Sequence, residues 1–306
     1  MASTRFSRWF DVKGWPGLLI GAPYVWLVVL FLVPFLIVVA MSFATKTPTA
    51  PPISWWSDDY KITLNYEPYA RALGDGLYFR AFVTSVINAA LAMILCLLIG
   101  YPMALGLVRV APAWRSILIM LVILPFWTSF LLRVYAWMGM MGRNSWFNGL
   151  LTDMWNFLVP MEWAVKSIPM MNTNFAVVLV MVYTYLPFMI LPLFASLERL
   201  DPTLDEAAMD LGSKPARVFW DVTLPQSVPG IIAGGMLVFI PAAGELVIPT
   251  LVGNASSPMI GRVISDEFAQ ARDWPMASAV AVLLLLLMVV PTMLYSHFQA
   301  RAGGSK

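Results

Sequence analysis

Charge is scarce in this chain. Only 12% of its 306 residues are Asp, Glu, Lys or Arg, while 60% are hydrophobic. A soluble globule of that make-up would leave too much apolar surface in water, so the class is integral membrane protein. A formal net charge of +2 is too small to suggest a nucleic-acid partner. One cysteine, Cys96, excludes an intrachain disulfide, and its apolar surroundings in sequence point to packing. One histidine, His297, stands without a His/Cys/Asp group at metal-ligand spacing or a Ser–His pairing, so neither a metal site nor a membrane enzyme is expected. No G-x-x-x-x-G-K-[ST] phosphate loop occurs, so the chain is not itself an ATPase and is expected to bind no cofactor.

Long apolar runs are plentiful. A helical crossing takes about 20 such residues. Six stretches qualify, near 17–43, 79–107, 114–141, 174–197, 228–251 and 276–297. The expected fold is therefore an all-α bundle of six transmembrane helices in a lipid bilayer. Arg5, Arg8 and Lys13 precede the first run, which exceeds the length of a signal-peptide core and reads as an uncleaved span. The chain divides into an N-terminal segment 1–16, a first span with its loop 17–78, a core of five spans 79–297, and a tail 298–306. Only Val108 to Ala113 separate the second and third runs, which predicts a tight helical hairpin.

Basic residues set the orientation. With the N-terminus inside, the short inner segments hold Arg109, Arg115, Arg199, Lys214, Arg217, Arg301 and Lys306 besides the three at the start. The longer outer loops hold Lys46, Lys61, Arg71, Arg143, Lys166, Arg262 and Arg272, at lower density. Both termini and the 198–227 loop then face the cytoplasm. The outer loops carry Trp55-Trp56 and the aromatic set Trp146, Phe147, Trp155, Phe157 and Trp163. Two readings stay open for them: rings at the headgroup level, or a surface that receives a soluble partner. Asp266, Glu267 and Asp273 form either a solvated face or a funnel for cations.

The longest polar interruption of the second half is DPTLDEAAMDLGSKPARVFWDVTLPQSVPG, Asp201 to Gly230. Asp201 suits an N-cap, Pro202 the first helical position, and Gly212 the stop. Leu204, Ala207, Ala208 and Leu211 share one face at i, i+3, i+4 and i+7. A second short helix is expected from Pro215 to just before Pro225. Such a loop either lies on the headgroups or docks on another protein.

Inside the fifth run, Gly230, Gly234 and Gly235 allow close helix contact. Beyond them Glu245 stands between Pro241 and Pro249. On a continuous helix it lies about 24 Å above Pro229, in the outer third of the membrane. An intramembrane carboxylate is a functional candidate, with a structural pair to Arg133 as the alternative. Trp127, Thr128 and Tyr135 of the third run and Tyr183 and Tyr185 of the fourth fall at matching depth. Thr128 and Tyr135 are expected on one helix face. A carboxylate with such rings suits an organic cation, each ring being worth about 0.5–2 kcal/mol to an ammonium group. A secondary cation carrier using Glu245 as a relay is the rival reading.

Glu206-Ala207-Ala208, then Gly212, then Leu224-Pro225, resembles the EAA loop of the permease subunits of bacterial ABC importers. LLIGYPMA (Leu97 to Ala104), ILPFWTSFLLRVYAWMG (Ile123 to Gly139), MLVFIPAAGELVIP (Met236 to Pro249) and MIGRVISDEFAQARDWPMASAVA (Met259 to Ala281) are similar to the polyamine branch, above all the putrescine type. The resemblance implies a type I importer permease in the bacterial inner membrane. Glu206, Ala207, Ala208, Leu211 and Gly212 would form the cytoplasmic coupling helix. It also implies the partners: a second homologous permease, two copies of an ABC ATPase carrying ATP and Mg, and a periplasmic polyamine-binding protein.

Overall fold

The computed structural model describes residues 15–49, 51–55, 64–159, 165–256 and 258–303. Arg5, Arg8, Lys13, Lys61 and Lys306, with Trp56 and Trp163, lie outside these residues. Among the described residues, five helices are long and apolar enough to cross a membrane, or six when a sharply bent pair is counted as one span.

By contacts the chain falls into two compact units. One holds residues 1–72 and 267–282, the other 73–266 and 283–306. In the first unit, α1 (Trp15–Leu27) and α2 (Val33–Met41) join through a π turn at Val28–Leu32. That turn lies over Leu30, the residue four before Pro34, where a proline ring would otherwise strike a carbonyl. A two-stranded ribbon, β1 (Thr45–Lys46) against β2 (Ile53–Ser54), and α3 (Glu67–Gly74) follow. Ser42 hydrogen-bonds Tyr69 at 2.6 Å, and Phe43 packs on the rings of Tyr66 and Tyr69. Asp273 is buried here between Lys46 at 3.3 Å and Arg71 at 3.8 Å, and it accepts the amide of Met276 at 3.1 Å. It is a structural counter-ion, so Asp273 belongs neither to a solvated face nor to a cation funnel, the two readings its sequence left open.

The second unit is organised around α4 (Gly76–Arg109), α8 (Asn174–Leu197) and α11 (Leu224–Ala243), which pack on one another. Side-chain caps start the first two. Asp75 accepts from Leu77 at 2.9 Å, and Thr173 accepts from Ala176 at 3.1 Å, each satisfying an orphan amide. Close approach of α8 and α11 depends on glycine. A Cβ on Gly234 would lie 3.0 Å from the Met189 carbonyl oxygen and 3.3 Å from its Cα, and one on Gly230 would strike Ser196. Met181, Met189, Ile190 and Leu193 of α8 are fully buried in this contact region.

Between them run α5 (Pro112–Ile123), a 3₁₀ turn at Leu124–Trp127, and α6 (Phe130–Met141). The third crossing is therefore not one straight helix: its halves meet at 88°. Pro125 lacks an amide, and Thr128 is extended at φ −93°, ψ 150°, which ends the first half. Thr128 and Tyr135 consequently do not share a helix face, correcting the expectation drawn from the sequence.

α7 (Trp146–Leu158) has its polar side turned inward. Thr152 and Ser167 both donate to Asn148 Oδ1, Asn148 Nδ2 donates to the Ile168 carbonyl at 2.9 Å, and Asn156 pairs with both backbone groups of Val165. Trp146, Leu150, Met154 and Phe157 are exposed.

The remaining elements are α9 (Pro202–Asp210), α10 (Pro215–Val218), α12 (Val247–Val252), α13 (Ile260–Ala269) and α14 (Trp274–Gly303). α10 does not stop before Pro225 as expected. A π turn at Phe219–Thr223 carries it into α11, again spanning the residue four before a proline.

Candidate functional site

Two groups of residues were expected to carry function, and they occupy different parts of the second unit. The first is the loop around α9. Its helix is punctuated as the sequence predicts. Asp201 accepts the Thr203 amide at 3.0 Å, and this bond, with the Thr203 side chain, holds its carboxyl below the usual carboxylate range. Gly212 adopts φ +86°, the left-handed region that glycine enters freely. There the Gly212 amide reaches Met209 O at 2.9 Å and the Ser213 amide reaches Ala208 O at 3.1 Å, a Schellman closure.

The loop is tied down from behind. Thr223 donates to Asp205 at 3.3 Å, Tyr101 of α4 bonds Ser227 at 2.9 Å, and Phe219 packs edge-on against the Tyr101 ring. Nearby in sequence, Arg115 reaches Glu198 at 2.9 Å and the Val108 carbonyl at 2.8 Å, joining the α4–α5 turn to the end of α8. The outer side of the loop is unsupported within the chain. Leu204 is 46% exposed, Leu211 89% and Trp220 65%, with Glu206 and Ala207 exposed and Ala208 half-buried. Glu206 makes no ion pair among the described residues. A firmly mounted helix thus presents apolar side chains and the carboxylates of Glu206 and Asp210 outward.

The second group surrounds the end of α11. That helix stops at Ala243, so Glu245 does not ride on a continuous span; it occupies a break before α12. Its Oε1 accepts the amides of Val247 at 3.0 Å and Ile248 at 3.4 Å, and Tyr185 of α8 donates its hydroxyl to Oε2. Arg133 is not its partner. The Arg133 guanidinium lies 5.7 Å and 5.9 Å from the ring centroids of Phe126 and Phe130, with Nε and Nη1 buried and unbonded. Trp127 and Tyr135 are exposed, and so is Tyr183, whose ring meets Trp137 edge-on at 5.5 Å. The structure therefore unites Tyr185 with Glu245 and leaves Trp127, Thr128, Tyr135 and Tyr183 facing outward from the chain.

A cleft of about 520 Å³ between α4, α5 and α8 includes Tyr183 in its wall with Met103, Leu118, Pro125, Leu186 and Ile190. Its lining is almost wholly apolar and offers no counter-charge to an ammonium group. Among the described residues no His, Cys, Asp and Glu cluster could hold a metal ion.

Two contributors were missed in the sequence. Gly261 of α13 packs directly on the break, where its added Cβ would meet the carbonyl oxygens of Gly244 and Glu245 at 2.6 Å each. Ser85 of α4 accepts the neighbouring Ile260 amide at 2.7 Å. Neither carries a sequence signal beyond being small.

Comparison with known proteins agrees with this architecture. Residues 15–304 match the family described as binding-protein-dependent transport system inner membrane component. The spermidine/putrescine transport system permease protein PotB of Haemophilus influenzae is 39% identical over 270 residues, covering 88% of this chain and 89% of that protein. Its Escherichia coli K12 counterpart is 34% identical, covering 88% and 92%. A solved bacterial alginate ABC transporter, in complex with an alginate pentasaccharide-bound periplasmic protein, superposes with a TM-score of 0.69 at 15% identity. That match covers 97% of this chain and 98% of the other, and it shows the fold. A multi-pass bundle, a break in its fifth crossing and an outward-facing helical loop accompany a family match over almost the entire length: the chain belongs to the inner membrane components of binding-protein-dependent transport systems, the permeases of ABC importers.

Proposed function

We propose that this permease takes up polyamines, putrescine or spermidine, delivered by a periplasmic binding protein and driven by two ATPase subunits on the cytoplasmic side. A second, homologous permease completes the pore, and both termini face the cytoplasm. The identity of 39% to a spermidine/putrescine permease supports the substrate class. The observation that carries the mechanism is the mounting of α9: rigid toward the bundle, bare toward the outside. Glu206, Ala207, Ala208 and Leu211 form the surface an ATPase subunit grips, and Gly212 ends the helix so that Leu211 protrudes. ATP and Mg stay with the ATPase. Their closure shifts α9, and the π-linked helix Pro215–Ala243 carries the shift into the bundle. Such a change needs contacts that differ between the two states, and α9 supplies them.

For the path, Trp127, Thr128, Tyr135 and Tyr183 are the exposed groups on the broken third crossing and on α8. Ring faces attract ammonium groups while leaving them free to move on. Tyr185 and Glu245 stand behind these exposed groups, buried and bonded to each other.

The test is charge reversal at Glu206. In right-side-out vesicles holding the whole transporter with ATP inside and the binding protein outside, Glu206→Lys should reduce ATP-driven putrescine uptake to background while the subunit inserts normally. Wild-type uptake by that variant would leave α9 as a headgroup-lying loop.

A further inference from the structure

We infer that Glu245 is a positioning residue that creates and clamps the break in the fifth crossing, and that the transported cation does not touch it. This rests on the polyamine reading above. The backbone geometry comes first. The amides of Gly244 and Glu245 both turn back to the Ala242 carbonyl instead of continuing the helix. The next helical donors, the amides of Val247 and Ile248, would on an unbroken helix reach the carbonyls of Ala243 and Gly244. They go to Glu245 Oε1 at 3.0 Å and 3.4 Å. The carboxylate thus takes the place of two backbone acceptors, and the chain can leave the helix without stranding two amides in an apolar setting.

The other oxygen is equally committed. Tyr185 donates to Oε2, which fastens the break to α8. With three donors on two oxygens and only 9% of the residue exposed, the carboxylate is compensated by dipoles and needs no cation. The opposite flank is closed by backbone. Gly261 leaves no room for a side chain against the carbonyls of Gly244 and Glu245, and the Ile260 amide is anchored on Ser85 of α4. One carboxyl group therefore sets the relation of α8, α11 and α12 at the point where the fifth crossing changes direction, and α13 packs on the backbone of that break. A polyamine nitrogen reaching Glu245 would have to displace a Tyr185 bond and open this packing.

The experiment uses the complete transporter in proteoliposomes, with putrescine-loaded binding protein as the varied substrate. Glu245→Gln keeps the shape and the Oε1 acceptor, and should lower kcat two- to fivefold with KM within twofold. Glu245→Ala and Gly261→Ala should each lower kcat tenfold or more, with KM within threefold. Tyr135→Ala serves as the contact control and should raise KM. A rise in KM of tenfold or more for Glu245→Gln, with kcat retained, would overturn the inference, as would wild-type kinetics for Glu245→Ala. If Glu245→Ala or Gly261→Ala does not assemble, Tyr185→Phe supplies the second arm, expected to lower kcat up to threefold at unchanged KM; a raised KM there counts against the inference. Wild-type vesicles that take up neither putrescine nor spermidine sink the polyamine reading instead. The positioning role is then read from thermal unfolding of the purified complex, where Glu245→Ala should lower Tm and Glu245→Gln should not.

Discussion

The first crossing and the fourth are both long apolar helices, yet they meet the rest of the chain in opposite ways. The window Gly21–Met41 is the more apolar of the two, and none of it is buried within the chain. Of an 18-residue apolar window within Asn174–Leu197, 67% is buried. The first has Val28, Leu30 and Phe31 more than half exposed, and all round it large side chains. The fourth alternates bulk with its neighbours' glycines, Met189 against Gly234 and Gly100, and carries the hydroxyls of Thr184 and Tyr185 inward. Hydrophobicity measures what a helix avoids, namely water. It does not measure what the helix packs on, because lipid tails are as apolar as leucine. Close packing is recorded instead in small residues and in the few polar groups placed to meet one another.

That contrast can be broken most directly at the glycines. Gly234→Leu should cost about 3 kcal/mol or more, because the added side chain meets Met189 backbone and cannot simply rotate away. Thermal unfolding in detergent is the measurement, with Leu30→Ala in the first crossing as the comparator, expected within about 0.5 kcal/mol of wild type. Equal effects would mean that the two helices are not distinguished by packing. Next in size is Asn148→Ala in α7. It removes the side-chain donor to the Ile168 carbonyl and unties Thr152 and Ser167, so about 1–3 kcal/mol is expected, read as faster proteolysis near 165–170. Tyr101→Phe removes one buried hydroxyl pair with Ser227 and should cost about 1 kcal/mol, sharpening how far the α9 loop depends on α4.

The smallest effect is one of pH. The Asp201 carboxyl titrates below its ordinary range because the charged form caps α9. Its contribution is therefore complete above the unfolded-state pKa and fades as pH falls through the lower folded value. Hydrogen exchange of the Thr203 amide should accelerate, relative to intrinsic rates, in acid. In Asp201→Asn, which caps without titrating, that acceleration should be absent.

Much of this was legible beforehand, and the exceptions have a pattern. The ends of α9 follow its capping residues, and the glycine contacts of α11 follow from Gly230 and Gly234. The breaks did not. Pro125 and Pro241 signal trouble in a helix, but Pro34, Pro187 and Pro225 sit in helices that continue, two of them by way of π turns. Whether a proline bends, breaks or is absorbed depends on what accepts the freed backbone groups. At the break the acceptor is local, Glu245 Oε1 for the amides of Val247 and Ile248, whereas the hydroxyl that ties this carboxylate down, that of Tyr185, is sixty residues away. Asn148, Thr152 and Asn156 recur every fourth residue, a polar stripe that could have revealed the inward side of α7.

From its sequence alone the chain was bound to be a membrane-spanning helical bundle with a capped polar loop, because burial of apolar runs and satisfaction of helix ends are local demands. Which oxygen of Glu245 meets which donor, and why Arg133 is not among them, was decided only on folding. Those outcomes require helices distant in sequence to arrive within a hydrogen bond of each other.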